Sequence, residues 1–394
     1  MNIKRNISII GGAGHVGFPL GLIFSSKGFN VSLIDKHSGN INKINSGEVP
    51  FLEEKSQNLL RQMIKRKKIF ATDQLKEIKK SKYIIVCIGT PVDKKLNPEL
   101  KNFMNFFYEL KKFIKKDQII IIRSSIYPGI CEKIYKVIKN KCKNLSYCPE
   151  RIVQGKSITE LPKLPQLVSG KSKKAIKESG LLFKKVCRKI IYTKVLEAEL
   201  VKLLSNAYRY INFSISNQFY MLCQNQDINF FKIRDIMKDG YMRNANIPIS
   251  GFTAGPCLLK DTMQLSSFYN HKFPLGHSAM SINEGMPKYI IDKLSIKYNL
   301  KKKIVGVLGL AFKAETDDIR DSLAIKLLKL LKSKKIKTLQ SDEFYKSKDN
   351  INKKELVKKS DIIIIATPHK AYKKLKIEKN KVLVDIWGLI EKWK

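Results

Sequence analysis

The chain has 394 residues, 43% of them hydrophobic, which supports two or three domains with proper cores rather than one. Its formal net charge is +42, but the lysines run along the whole length among abundant Ile and Asn, as AT-rich coding would produce, and no nucleic-acid-binding motif accompanies them. No apolar run approaches the roughly 18 residues of a membrane span, and the seven cysteines and five histidines show neither CxxC pairs nor ligand spacing, so neither a disulfide framework nor a metal is expected.

The N-terminal residues lead straight into a strand, Ile7–Gly11, so no signal peptide is expected and the chain reads as a soluble cytoplasmic protein. The turn Gly12-Ala-Gly14-His15-Val16-Gly17 then opens a helix to about Lys27, and a second strand, Asn30–Ile34, ends at Asp35. Strand, GxGxxG turn, helix, strand and acid is the order of a dinucleotide-binding fingerprint. The phosphates would lie at the helix N-terminus, and Asp35 would accept from a ribose 2′-hydroxyl. NAD is therefore the expected cofactor; Lys36 leaves an opening for NADP, and a plain tight turn is the bland alternative. Further apolar strands fall at Tyr83–Ile88, Gln118–Ile122 and near Asn144–Cys148, with helical stretches between them, which implies a parallel sheet covered on both faces.

From about Leu196 the pattern changes. Glu197 to roughly Cys223 has helical periodicity and neither Pro nor Gly, and further helices are expected over Asn229–Asp239, Asp261–Tyr269 and Ser281–Ser295. Alternation resumes with strands Lys303–Leu308, Lys337–Gln340, Asp361–Ala366 and Lys381–Asp385 and a helix Ser322–Leu331. The reading is α/β: two Rossmann-like doubly wound domains, 1–195 and 301–394, joined through a long central helix and a helical middle domain, 196–300.

The most informative segment is Gly251-Phe-Thr-Ala-Gly255-Pro-Cys257-Leu-Leu-Lys260-Asp261. A helix starting at the cysteine puts Asp261 on the same face one turn later. It also sets the thiol at the positive end of the helix near Lys260, two conditions that favour the reactive thiolate. An inert buried thiol is the ordinary alternative, and the other six cysteines read that way. Lys202 and Asn206, one helical turn apart, can stabilise an oxyanion together in a dry cleft, or they are a solvated lysine beside an ordinary polar residue. Glu150, in Cys-Pro-Glu-Arg151, is a general base or a surface acid.

The chain resembles the UDP-glucose/GDP-mannose dehydrogenase family, the nucleotide-sugar 6-dehydrogenases, over essentially its full length. The segments that carry the resemblance are Gly12–Gly17 with Asp35; Gly47–Glu53; Gly89-Thr90-Pro91; Arg123-Ser-Ser125-Ile-Tyr-Pro128-Gly129; Pro149-Glu150-Arg151; Lys202 with Asn206; Gly251–Asp261; and Gly309–Arg320. The resemblance implies NAD in the first domain and a nucleotide sugar against the last. It makes Cys257 the nucleophile, Asp261 a base or water-positioning partner, and Lys202 and Asn206 oxyanion stabilisers. Glu150 would serve thioester hydrolysis, and Ser125 would set a hydroxyl near the reacting water. Gly89, Thr90, Pro91 and Ser125 join the cofactor contacts, and Arg151, Arg243, Gly251, Phe252, Gly255, Phe312 and Lys313 are the implied substrate contacts. It further implies a homodimer or dimer-based oligomer, and a basic field is compatible with gathering a sugar diphosphate.

Four departures stand out against the family pattern: Ser125 for threonine, Gln154 where many glucose-type members carry glutamate, a Pro-Glu-Arg string beside Lys260-Asp261, and Asp385-Ile-Trp387-Gly388 for Asp-x-Arg-Asn. They leave the sugar open. The competing readings are a 3-hydroxyacid or 6-phosphogluconate type dehydrogenase, which needs no cysteine after a glycine turn, and a nucleotide-sugar-binding protein without catalysis.

Overall fold

The computed structural model describes residues 6–90, 92–93 and 99–390; Pro91, one of the implied cofactor contacts, lies outside them. The chain divides into two compact units, Met1–Leu204 and Ser205–Lys394.

In the first unit an eight-stranded sheet is built from β1 (Asn6–Ile10), β2 (Asn30–Ile34), β3 (Ile69–Thr72), β4 (Tyr83–Val86), β5 (Ile119–Ile122), β6 (Leu145–Tyr147), β7 (Gln166–Gly170) and β8 (Ile190–Tyr192). Its order is β3-β2-β1-β4-β5-β6-β7-β8. The first six strands are parallel, β7 runs antiparallel to β6, and β8 is parallel to β7. Ile119–Ile122 is an unbroken apolar run because both of its faces are buried, the signature of a central parallel strand. The expected strands β1, β2, β4, β5 and β6 are all present. Strands β3, β7 and β8 escaped the reading: β3 and β8 are short and partly exposed, and in β7 Gln166, Ser169 and Gly170 interrupt the apolar run, which leaves little apolar periodicity to detect.

The helix Val195–Asn225 is 31 residues long and runs from the first unit into the second. Helices Phe230–Lys238, Leu258–Phe268 and Pro274–Lys297 follow. The last begins seven residues before the expected Ser281, since Pro274 sits at the first helical position, where proline starts a helix rather than breaking it. A second parallel sheet, order β10-β9-β11-β12, comprises β9 (Ile304–Leu308), β10 (Lys337–Ser341), β11 (Ile362–Ile365) and β12 (Val382–Asp385). Its helices are Leu323–Ser333 and Lys353–Lys359; the second, lysine-rich with only Leu356 and Val357 buried, was not foreseen. The fold is thus α/β, with two parallel sheets of Rossmann type and a central helical region.

Each sheet has a switch point where the connections from adjacent strands depart to opposite sides, the usual place for a ligand crevice. In the first unit it lies at the carboxyl ends of β1 and β4, in the second at those of β9 and β11. At the second, Gly309 (φ +85°) presses on Thr367, and a β-carbon at 309 would stand 2.5 Å from the Thr367 Cβ. The loop beyond Gly309 is then tied down by Asp342, whose Oδ2 accepts from the N–H of Leu310 (2.5 Å) and Ala311 (3.1 Å). Its Oδ1 accepts from the N–H of Phe344 and Tyr345, both at 2.8 Å. His369, fully buried, accepts at Nδ1 from Glu315 N–H (3.0 Å), so the proton sits on Nε2, 3.3 Å from Asp342 Oδ2.

Burial alone would raise the Asp342 carboxyl. The hydrogen bonds from His369, Leu310 and Tyr345 together outweigh it and hold the group at about 2. A folded value below the unfolded one of about 3.9 gives stability that is present above pH ~4 and lost as the pH falls through 2, on the order of 2–3 kcal/mol in all. Urea denaturation of wild type and Asp342→Asn should therefore show a stability gap at pH 7 that narrows by that amount toward pH 2; a gap independent of pH would refute the assignment.

Candidate active site

One group of candidate residues lies at the carboxyl edge of the eight-stranded sheet. The N–H groups of Gly11 and Gly12 both donate to Ile34 O (2.9 and 3.0 Å), which ties the end of β1 to the end of β2. Gly12 and Gly17 are close-packing glycines: β-carbons there would stand 2.6 Å from Ile9 O and 2.3 Å from Gly11 O. Gly14 is different, with no protein atom nearer than 3.5 Å to such a carbon. Its backbone is therefore open to a phosphate, beside the helix Gly17–Ser26, whose N-cap residue Val16 supplies no side-chain bond to the first N–H groups. Asp35 Oδ2 accepts from Ala13 N–H (3.0 Å) and Oδ1 from His37 N–H (3.2 Å), fixing the carboxylate at the end of β2, with Lys36 exposed beside it. These residues fit a dinucleotide. His15 stacks on Phe51 at 3.8 Å and meets Gln154 through Nδ1 at 3.1 Å.

Gly89 and Thr90 follow β4, and Thr90 Oγ1 donates to the Ser125 carbonyl just beyond β5 (2.5 Å). Glu150 is not a solvated surface acid, since both of its oxygens have partners. Its Oε2 accepts from Arg123 Nε (2.7 Å), and Nη2 of the same guanidinium lies against it. Its Oε1 accepts from the N–H of Arg151 (2.7 Å) and Ile152 (2.9 Å). Arg123 is wholly buried, and its Nη1 reaches Gln166 Oε1 (2.8 Å) and Cys148 O (3.2 Å). Burial works against the Arg123 charge, yet the Glu150 carboxylate raises the group and keeps it charged. Arg151 donates from Nη2 to Pro165 O (2.5 Å). The motif around Arg123 gives it no role, because a buried partner for a carboxylate leaves no mark on sequence spacing.

A separate group of candidate residues lies in the second unit. Cys257 is exposed and stands at the N-cap of the helix Leu258–Phe268, where the sequence placed it. Cys87 is half-buried and the remaining five thiols are buried; burial pushes Cys87 and Cys148 up to about 12. Asp261 N–H donates to Cys257 O (2.9 Å), the first helical turn, while its fully buried carboxylate faces the long helix. There Asn206 Nδ2 donates to Asp261 Oδ2 (2.6 Å). Asp261 Oδ1 is buried with no hydrogen-bond partner among the described residues, and Lys260 Nζ lies 3.7 Å from it. Lys260, expected beside the sulfur, is thus also a counter-ion to Asp261. Lys202 and Asn206 are both buried, at 8% and 6% exposure, so the solvated-lysine reading does not hold.

A cation without a role in the sequence reading, Arg320, precedes Asp321, whose carbonyl accepts from Gly255 N–H (3.4 Å). Arg320 is held on Asp318 by Nε (3.0 Å to each oxygen) and Nη2 (2.6 Å). Hydrogen bonding to Asp318 raises the guanidinium, burial opposes it, and the Asp318 charge adds to the rise. Gly251 N–H donates to Asn217 Oδ1 (2.8 Å), Phe252 is buried, and Phe312 packs on Gly255 with Lys313 Nζ 5.8 Å from its ring. Arg243 stands apart in an exposed turn, Met242–Asn244, with Nη1 3.3 Å from Tyr241 Oη.

Residues 5–191 match the NAD-binding domain of the UDP-glucose/GDP-mannose dehydrogenase family, residues 196–285 its central domain, and residues 306–392 its UDP-binding domain. The chain is 28% identical to a UDP-N-acetyl-D-mannosamine dehydrogenase of Pyrococcus horikoshii, over 96% of this chain and 95% of that one. It is 27% identical to a UDP-glucose 6-dehydrogenase of Rickettsia felis, over 98% and 93%. The solved structure of a UDP-D-ManNAc dehydrogenase from Pyrococcus horikoshii superposes with a TM-score of 0.87 at 27% identity, covering 94% of this chain and 91% of that one. The cysteine turn, the glycine cradle and three family domains in the same order leave one conclusion: the chain belongs to the UDP-glucose/GDP-mannose dehydrogenase family, and NAD is its cofactor.

Proposed function

We propose that the chain oxidises the C6 alcohol of a UDP-activated hexose to the carboxylate through a covalent bond to Cys257. The observation that carries this reading is an exposed thiol at a helix start with a buried Asn206–Asp261 pair behind it. NAD, held by the Gly12–Gly17 turn and Asp35, supplies a hydride acceptor for each of two oxidations. The chain's own groups manage protons and oxyanions. Asp261, with one oxygen that accepts no hydrogen bond from the described residues, takes the C6 hydroxyl proton, directly or through a water, as the carbon becomes an aldehyde. The Cys257 sulfur adds to that carbon, forming the C–S bond of a thiohemiacetal. A carboxamide has two N–H donors, so Asn206 can hold Asp261 with one and the oxyanion with the other, beside the Lys202 ammonium. Loss of a second hydride from the carbon leaves a thioester. Water, placed by Ser125 and assisted by Glu150, then breaks the C–S bond and returns the thiol.

The UDP-binding match at 306–392 supports a UDP-sugar, and the relatives named above act on both N-acetylmannosamine and glucose derivatives. We further propose a homodimer in the cytoplasm. Leu204, Tyr208, Ile215, Phe219 and Leu222 are all exposed and their spacing puts them on one face of the long helix, an apolar stripe of the kind that marks an interface. All seven cysteines are free, which suits a reducing compartment.

Incubation with UDP-N-acetylmannosamine and with UDP-glucose should yield two NADH per sugar consumed from at least one of them; a ratio of one would move the chain to the simple alcohol dehydrogenases. Cys257→Ser should retain UDP binding and lose nearly all turnover to acid, and full activity in that variant eliminates the covalent route. In gel filtration the protein should elute at twice its chain mass of 45.3 kDa, and Leu222→Glu should shift it toward the monomer. Elution of wild type as a monomer at micromolar concentration would contradict the dimer.

A further inference from the structure

The loop that delivers Cys257 begins and nearly ends on a glycine pressed against an aromatic ring. Gly251 has φ +147°, and a β-carbon there would stand 2.5 Å from Trp387 Cε3 and Cζ3. Gly255 has φ +108°, and a β-carbon there would stand 2.5 Å from Phe312 Cδ2. Glycine is the softest backbone unit, so a loop hinged on two of them keeps one shape only if something outside it does the holding.

Trp387 is itself fixed. Its indole Nε1 donates to Ala366 O just past β11 (3.1 Å), and its N–H donates to Asp385 Oδ1 (3.1 Å). The same buried carboxylate accepts from Ile390 N–H through Oδ2 (2.7 Å), closing the turn that carries the indole. A second tie lies next to the ring: Ser250 Oγ donates to Ile386 O (2.9 Å), with both residues fully buried. On its other side the loop is held by Asn217, which accepts from Gly251 N–H (2.8 Å) and passes Nδ2 to Asn283 Oδ1 (2.8 Å).

We propose that Trp387 is a positioning residue for Cys257. Its ring fixes the first hinge of the glycine loop as Phe312 fixes the second, and the sulfur follows two residues after Gly255. The proposal rests on Cys257 being the nucleophile. Without the indole the loop pivots on Gly251, the thiol loses its single location, and the chemical step slows while the ligand still binds.

The test uses the full chain and four variants, Trp387→Ala, Trp387→Phe, Ser250→Ala and Cys257→Ser, measuring kcat, KM for the sugar that wild type turns over, UDP affinity and melting temperature. Trp387→Ala should lower kcat roughly 10- to 100-fold, the effect expected of an ångström-scale misplacement, with KM and UDP affinity within about threefold of wild type. Trp387→Phe, which keeps a ring over Gly251, should recover most of that loss, and Ser250→Ala should lower kcat in the same sense by a smaller factor. Wild-type kcat in Trp387→Ala overturns the proposal. So does a loss of UDP affinity in step with kcat, which would make Trp387 a ligand contact instead. Should Trp387→Ala fail to fold, Ser250→Ala decides: it removes a single hydroxyl, and an unchanged kcat there overturns the idea. Cys257→Ser separates the two levels of argument. An active serine variant sinks the cysteine chemistry, whereas an inactive one beside a wild-type Trp387→Ala sinks only the positioning role.

Discussion

Two runs of four isoleucines, Ile119–Ile122 and Ile362–Ile365, form strands with no exposed surface, and the rest of the molecule answers to that constraint. A parallel strand buried on both faces must be covered by helices on both sides, and each helical crossover returns the chain to the same edge. Every loop that leaves a carboxyl end therefore gathers on one side of its sheet. Gly14, Thr90 and Ser125 meet along one such edge and Gly309 and Thr367 along the other, although they are far apart in the chain. The functional groups are placed by the hydrophobic pattern long before their own chemistry matters.

Polar burial is then spent selectively. The Arg123–Glu150 pair and the Asn206–Asp261 bond are buried, and removing one partner from such an arrangement leaves an uncompensated polar group, which is costly. The sulfur of Cys257 is treated the opposite way, exposed at a helix start. The proposed covalent route calls for such a rigid, desolvated backing behind an accessible thiol, since the acceptor groups must not reorganise when charge develops.

The large positive charge plays little part in holding the fold. Pairs such as Lys112–Glu109 and Lys359–Glu355 are solvent-exposed neighbours on single helical turns, worth little individually. With 76 basic against 34 acidic residues, most cations have no acidic partner to meet.

Periodicity and punctuation were enough to read the parallel strands at the centre of both sheets, the long helix, the glycine turn with Asp35, and the helix that starts at Cys257, because each is a local pattern set by burial or by backbone geometry. The short edge strands β3 and β8 and the helix Lys353–Lys359 were not legible, since half-exposed elements carry little periodic signal. Pairings between distant residues were equally hidden. That Glu150 is locked to Arg123, that Asp261 is bonded to Asn206, and that Trp387 sits on Gly251 depend on which faces meet once the chain has folded. The sequence by itself determined which residues could do chemistry and which turns would present them; the tertiary structure alone decided their partners, because side-chain contacts across elements arise from packing and leave no fixed spacing along the chain.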